Sequence, residues 1–85
     1  MKESWSLIFH EDPARLLMSV RGRSRDQLLR ELDRLARDPF RRPDAYRTGA
    51  SGRKYSIRYF GALAIAYWLD AFPEEIRVVS IEPWS

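Results

Sequence analysis

Residues 54–60 alternate in polarity: Tyr55, Ile57 and Tyr59 fall on one side, and Lys54, Ser56, Arg58 and Phe60 on the other. A strand has a side-chain period of two, so this stretch predicts a strand with one apolar face and one largely polar, basic face. Gly61 marks a tight turn, and residues 62–69 are then almost wholly apolar. That run is too short to span a membrane and suits a central strand covered on both faces. Residues 4–9 alternate as well, with Trp5, Leu7 and Phe9 on one side, and predict an opening strand. Residues 76–81 are rich in β-branched side chains and predict a closing strand after a turn at 70–75 that contains Pro73.

Between the first strand and the basic one the period lengthens to that of a helix. Asp12-Pro13 predicts a helix start, with Leu16, Leu17 and Val20 on the apolar side and Gly22 ending it. Ser24 and Gln27 have capping-box spacing. Leu28, Leu29, Leu32, Leu35 and Ala36 then recur at three- and four-residue intervals, the mark of one helix face. Asp26 with Arg30, and Asp33 with Arg37, are spaced to pair on the solvent side. Pro39 disfavours helical geometry at Asp38 and ends the helix there. Residues 39–52, with two prolines and two glycines, are expected to be a polar connection, and residues 47–53 a flexible cationic one. They lack P-loop spacing and do not lead into a helix. The expected order is β-α-α-β-β-β: an α+β fold with a helical hairpin on one face of a four-stranded, mostly antiparallel sheet.

At 85 residues this is one domain, 1–85, with a modest core. Cysteine is absent, which removes disulfide frameworks and thiolate metal sites. No opening run resembles a signal peptide, since Glu11-Asp12 interrupts the short apolar stretch; a cytoplasmic location is expected. The single histidine, His10, follows a strand with nothing nearby to make it catalytic. The net charge of +3 hides an asymmetry. Residues 41–59 carry six cations against Asp44, a net +5, and residues 60–85 carry Arg77 against four carboxylates, a net −3. All but two of the cations are arginine, the residue suited to bidentate phosphate or carboxylate contact and to stacking. The choice is between a solvated basic face and one for a polyanion or acidic protein.

Taken together, these residues resemble the RelE/ParE superfamily of bacterial type II toxins, along essentially the whole chain. The resemblance rests on the aromatic opening strand and a helical hairpin with glycine at its turn. It continues through Ser24-x-x-Gln27, Asp38-Pro39 and the basic linker. Arg-x-Tyr-Ser-Ile-Arg-Tyr from Arg53 to Tyr59, Gly61, and Ile-Ala-Tyr-Trp-Leu-Asp from Ile65 to Asp70 complete it. It implies a sheet backed by the helical pair, with a concave basic surface opposite. In the RelE branch that surface enters the ribosomal A site and cuts mRNA without a metal or other cofactor. In the ParE branch the toxin inhibits DNA gyrase. Both are neutralised by an antitoxin that wraps the toxin.

Metal-independent RNA cleavage needs an aligned 2′-hydroxyl, stabilisation of charge on the phosphate, and assisted proton transfer. The resemblance makes Arg58 the candidate catalytic arginine at the phosphate; its alternative is a cross-strand ion pair. Arg47, Arg53 and Lys54 are expected to bind the RNA backbone, with Arg77 on the last strand as a further candidate. Trp84 is a candidate for stacking a base, or else covers the core edge. Tyr55 and Tyr67 are expected to pack in the core. The sequence also departs from the nuclease branch. The third strand has no early arginine, and Glu82-Pro83-Trp84-Ser85 stands where a basic residue and then a tyrosine or histidine usually follow. Three readings follow: a ribosome-dependent mRNA endonuclease, an inhibitor of gyrase, and a degenerate member that only binds antitoxin or RNA.

Overall fold

A computed structural model describes residues 4–84. Its elements run β1 (Ser6–Phe9), α1 (Glu11–Ser19), α2 (Gly22–Arg37), β2 (Ala45–Thr48), β3 (Lys54–Phe60), β4 (Leu63–Asp70) and β5 (Glu75–Pro83). The strands form one sheet in the order β1-β5-β4-β3-β2. Only β1 with β5 is parallel; the other pairs are antiparallel. The α+β class and the helical hairpin on one sheet face are as expected. No helix among the described residues is long and apolar enough to cross a membrane.

The sheet has five strands rather than four. Residues 45–48, expected to belong to a connection, pair antiparallel with β3 from Ala45↔Ile57 to Thr48↔Lys54. The physical reason is the outer edge of β3, whose amides and carbonyls otherwise lack partners. Gly49 N–H donates to Arg53 O at 2.8 Å and Gly52 N–H to Gly49 O at 2.9 Å, so the glycine-rich stretch is a closed hairpin loop. Gly49 is required there, because a Cβ on it would lie 2.5 Å from the Tyr55 ring.

The helix starts also differ from expectation. His10 occupies the N-cap position of α1, which puts Asp12 and Pro13 inside its first turn. Proline is tolerated at that depth because the first four N–H groups have no intrahelical partner, and the carboxylates of Glu11 and Asp12 favour the positive helix end. Gly22 begins α2, with φ +65, rather than ending α1. Ser24 therefore lies within the helix, and Arg21 at the N-cap position makes no side-chain cap. The other end stops at Asp38, before Pro39, as expected.

The core lies between α2 and the sheet. Leu28, Leu32, Leu35 and Ala36 of α2 meet Ile65 and Tyr67 of β4 and Ile76, Val78 and Ile81 of β5. Leu29, at 41% exposure, falls off the buried stripe. This packing decides which face of β3 is covered, and the outcome reverses the expectation. Ser56, Arg58 and Phe60 stand opposite Tyr67, Ile65 and Leu63, the helix-facing residues of β4. The face with Arg58 thus lies beneath α2, and the face with Tyr55, Ile57 and Tyr59 is the open one.

Candidate nucleic-acid interface

The open face is assembled by register. Arg47 of β2 stands beside Tyr55 of β3, Ile57 beside Ala66, and Tyr59 beside Ala64. Across β4, Ala66 meets Ser80 and Trp68 meets Arg77. The central strand contributes only methyl groups at Ala64 and Ala66, and in the middle of the face Ala66 and Ile57 are themselves 1% and 6% exposed. Longer side chains from the outer strands rise around it.

Two arginines come together over this surface. The Arg53 guanidinium lies 4.0 Å from the Trp68 ring centroid, within cation–π range. Arg47, from the edge strand, reaches across the sheet and donates to Ser80 Oγ at 3.5 Å. Neither is held by a carboxylate among the described residues, so both retain charge for an anionic ligand. Arg77 is on the same face, 6.0 Å from the Trp68 centroid. It is already engaged: Nη2 lies 2.8 Å from Glu75 Oε1 and 3.6 Å from Asp70 Oδ2. Its charge is more than balanced there, so it sits beside Trp68 without a free charge for a ligand.

At the Gly61 end of the face, Tyr59 and Trp84 stack with centroids 4.2 Å apart and 28° between planes. Trp84 Nε1 donates to Gly61 O at 3.3 Å, which fixes the indole. Tyr59 and Trp84 keep 38% and 47% of their surface exposed, so this pair is an accessible aromatic platform.

Two expected site residues lie elsewhere. Lys54 is on the opposite face of its strand, with Nζ 4.2 Å above the Tyr46 ring. Arg58 is 3% exposed, with Nη1 3.7 Å from Glu31 Oε1 of α2. It cannot reach a ligand on the open face, and its neighbours describe a buried ion pair. The sequence carried one signal of this. Glu31 falls at stripe spacing between Leu28 and Leu35, and a carboxylate in a leucine stripe calls for a buried cation. Tyr67 sits close to Arg58, and burial pushes its phenol above the ordinary value while Arg58 pulls partly the other way. Trp68 was also legible: it alternates with Tyr67 and so must take the face opposite the core. Among the described residues, no three histidine, aspartate or glutamate side chains converge as a metal site.

No family model matches the sequence, and no curated protein matches it. Solved structures do match the fold. One is a chain of the toxin–antitoxin complex RelBE2 from Mycobacterium tuberculosis, with a TM-score of 0.70 and 16% identity, covering 95% of this chain and 99% of that one. Another is a chain of the archaeal RelE–RelB complex from Pyrococcus horikoshii OT3, with a TM-score of 0.72 and 16% identity, covering 94% of each. The strand order, the backing helices and this end-to-end likeness together give the chain a RelE-like α+β fold.

Proposed function

We propose that this chain is the toxin of a toxin–antitoxin pair, and that its open sheet face binds mRNA on the ribosome. The observation that carries this reading is the Arg53–Trp68 contact at 4.0 Å with Arg47 spanning the face beside it. It is supported by the fold shared with chains of RelE–RelB complexes. A guanidinium stacked on an indole presents its donor edge to phosphate while the ring supports a base, a combination suited to single-stranded RNA. Tyr59 and Trp84 offer a second stacking surface, where an unstacked base is held. Arg47 and Arg53 stabilise charge developing on a phosphate, the contribution a metal-independent endonuclease requires. An acidic partner segment covering the same face, as an antitoxin, silences it. The site of action is the cytoplasm.

Programmed ribosomes test this, with mRNA ends mapped by primer extension. Cleavage in the A-site codon that falls at least tenfold in Arg47→Ala/Arg53→Ala supports the reading. Intact message from a folded protein that still arrests growth overturns it.

The buried Arg58 favours a second reading. With that arginine beneath α2, the open face lacks the cation expected at the scissile phosphate, and inhibition of DNA gyrase needs none. Supercoiling assays with purified gyrase decide it: undiminished supercoiling at excess protein rejects this alternative.

A further inference from the structure

The two ends of β4 carry features of opposite character. At one end, the turn into β5 holds Phe72, which is fully exposed at 100%, followed by Pro73. Asp70, Glu74 and Glu75 flank it in sequence. Asp70 and Glu75 share Arg77, and Glu74 has no cationic partner among the described residues. At the other end, α2 and the β3–β4 turn leave a groove of about 500 Å³. Val20, Leu28, Phe60 and Leu63 supply its apolar lining, with Arg30 and Arg34 at the rim. Glu31, also in the lining, is committed to Arg34 and Arg58. Asp26 does not pair with Arg30, contrary to the helical spacing, so Arg30 is uncompensated among the described residues. An exposed aromatic in an acidic setting and an open apolar groove with a basic rim are complementary in shape and in sign.

The eight residues of β4 separate the two features by roughly 26 Å at about 3.3 Å per residue. One copy therefore cannot fill its own groove. We propose that a second copy of this chain docks its Phe72 turn into the groove, with Glu74 against Arg30, since Arg34 is already paired with Glu31. The contact is head to tail and uses a different patch on each partner. Repeated from copy to copy it builds short open chains, and exchanged reciprocally between two copies it closes a pair. With a single aromatic anchor it is weak and appears only at high concentration. It is independent of RNA binding, because the groove lies on the helix side of the sheet.

Sedimentation velocity of the full chain from about 10 μM to about 1 mM tests this, a range that brackets weak single-anchor association. The expected result is a weight-average coefficient that rises with concentration. Phe72→Ala and Arg30→Glu each lower the association constant about tenfold or more. Both side chains are exposed, so both variants fold, and circular dichroism confirms it. Mixing the two supplies one intact groove and one intact turn, and yields a 1:1 complex that grows no further. A wild type that stays monomeric throughout overturns the proposal. So does association that survives Phe72→Ala, or a mixture that forms no complex.

Discussion

Replacing Glu31 with glutamine leaves Arg58 charged and unaccompanied beneath α2. The Arg58 side chain is 4% exposed and that of Glu31 10%, with 3.7 Å between Nη1 and Oε1. Neither terminal nitrogen of Arg58 has a hydrogen-bond partner among the described residues, so the carboxylate is the principal compensation for the buried charge. A guanidinium cannot shed its proton inside a protein and escape the cost that way. At 3.7 Å and an effective dielectric of about 20, the lost attraction is about 4 kcal/mol. Measured losses on breaking one side of a buried pair, about 3–5 kcal/mol, agree with it. A domain of 85 residues has a total stability of roughly 4–13 kcal/mol. Glu31→Gln should thus remove a large share of it and lower the melting temperature by about 20 °C. Urea unfolding followed by circular dichroism provides the measurement. The double variant Glu31→Leu/Arg58→Met, which removes both charges and keeps the volume, should return to within about 1 kcal/mol of wild type or exceed it. A loss below about 1 kcal/mol in Glu31→Gln would refute the reasoning, because it would place the pair in solvent. The same argument makes Arg58→Ala a poor probe of catalysis: it disturbs the fold before it can report on a phosphate.

Three further outcomes follow from the same geometry. Tyr67 is 1% exposed and its hydroxyl has no partner among the described residues, so Tyr67→Phe should leave stability at pH 7 unchanged or raise it by up to about 1 kcal/mol. Because burial holds this phenol above 10.0 when folded, the unfolded chain releases the proton first as pH rises. The associated stability is complete below pH 10 and is lost as pH climbs through the folded value, and Tyr67→Phe should flatten that decline in urea titrations. A loss beyond about 1 kcal/mol at pH 7 would mean that the hydroxyl is satisfied. Arg53→Ala should cost under about 1 kcal/mol of stability and weaken binding of a single-stranded oligoribonucleotide, with the salt slope reduced by about 0.7; anisotropy titrations that show an unchanged slope would remove Arg53 from the interface. Gly49→Ala should destabilise by about 1–3 kcal/mol through the contact with Tyr55. Gly49→Ala/Tyr55→Leu should recover much of that in thermal melts, and no recovery would place the strain elsewhere.

Periodicity alone carried much of the architecture. The leucine spacing of α2, the stop at Pro39, the alternation of β3, the turn at Gly61 and the apolar run of β4 are local properties of the chain. They are legible because helix and strand repeats depend only on backbone geometry. The polar segment before Gly49 gave no such signal, since β2 is a strand only by virtue of the β3 edge it completes. Likewise Gly22 reads equally well as the end of one helix or the start of the next, and the tight α1–α2 connection selects the second.

The site divides along the same line. That Arg47, Arg53, Trp68 and Arg77 share a face follows from alternation once the register is known, but register joins residues far apart in sequence. Alternation assigns the side chains of β3 to two faces without saying which one the helices cover. Hydrophobicity argued for burying Tyr55, Ile57 and Tyr59. The structure buries Ile57 as well, but it is Arg58 that lies beneath α2, where Glu31 neutralises it. Local repeats determined the elements and their amphipathic faces. Tertiary packing decided which faces meet, since that choice depends on a charge partner twenty-seven residues away in the chain.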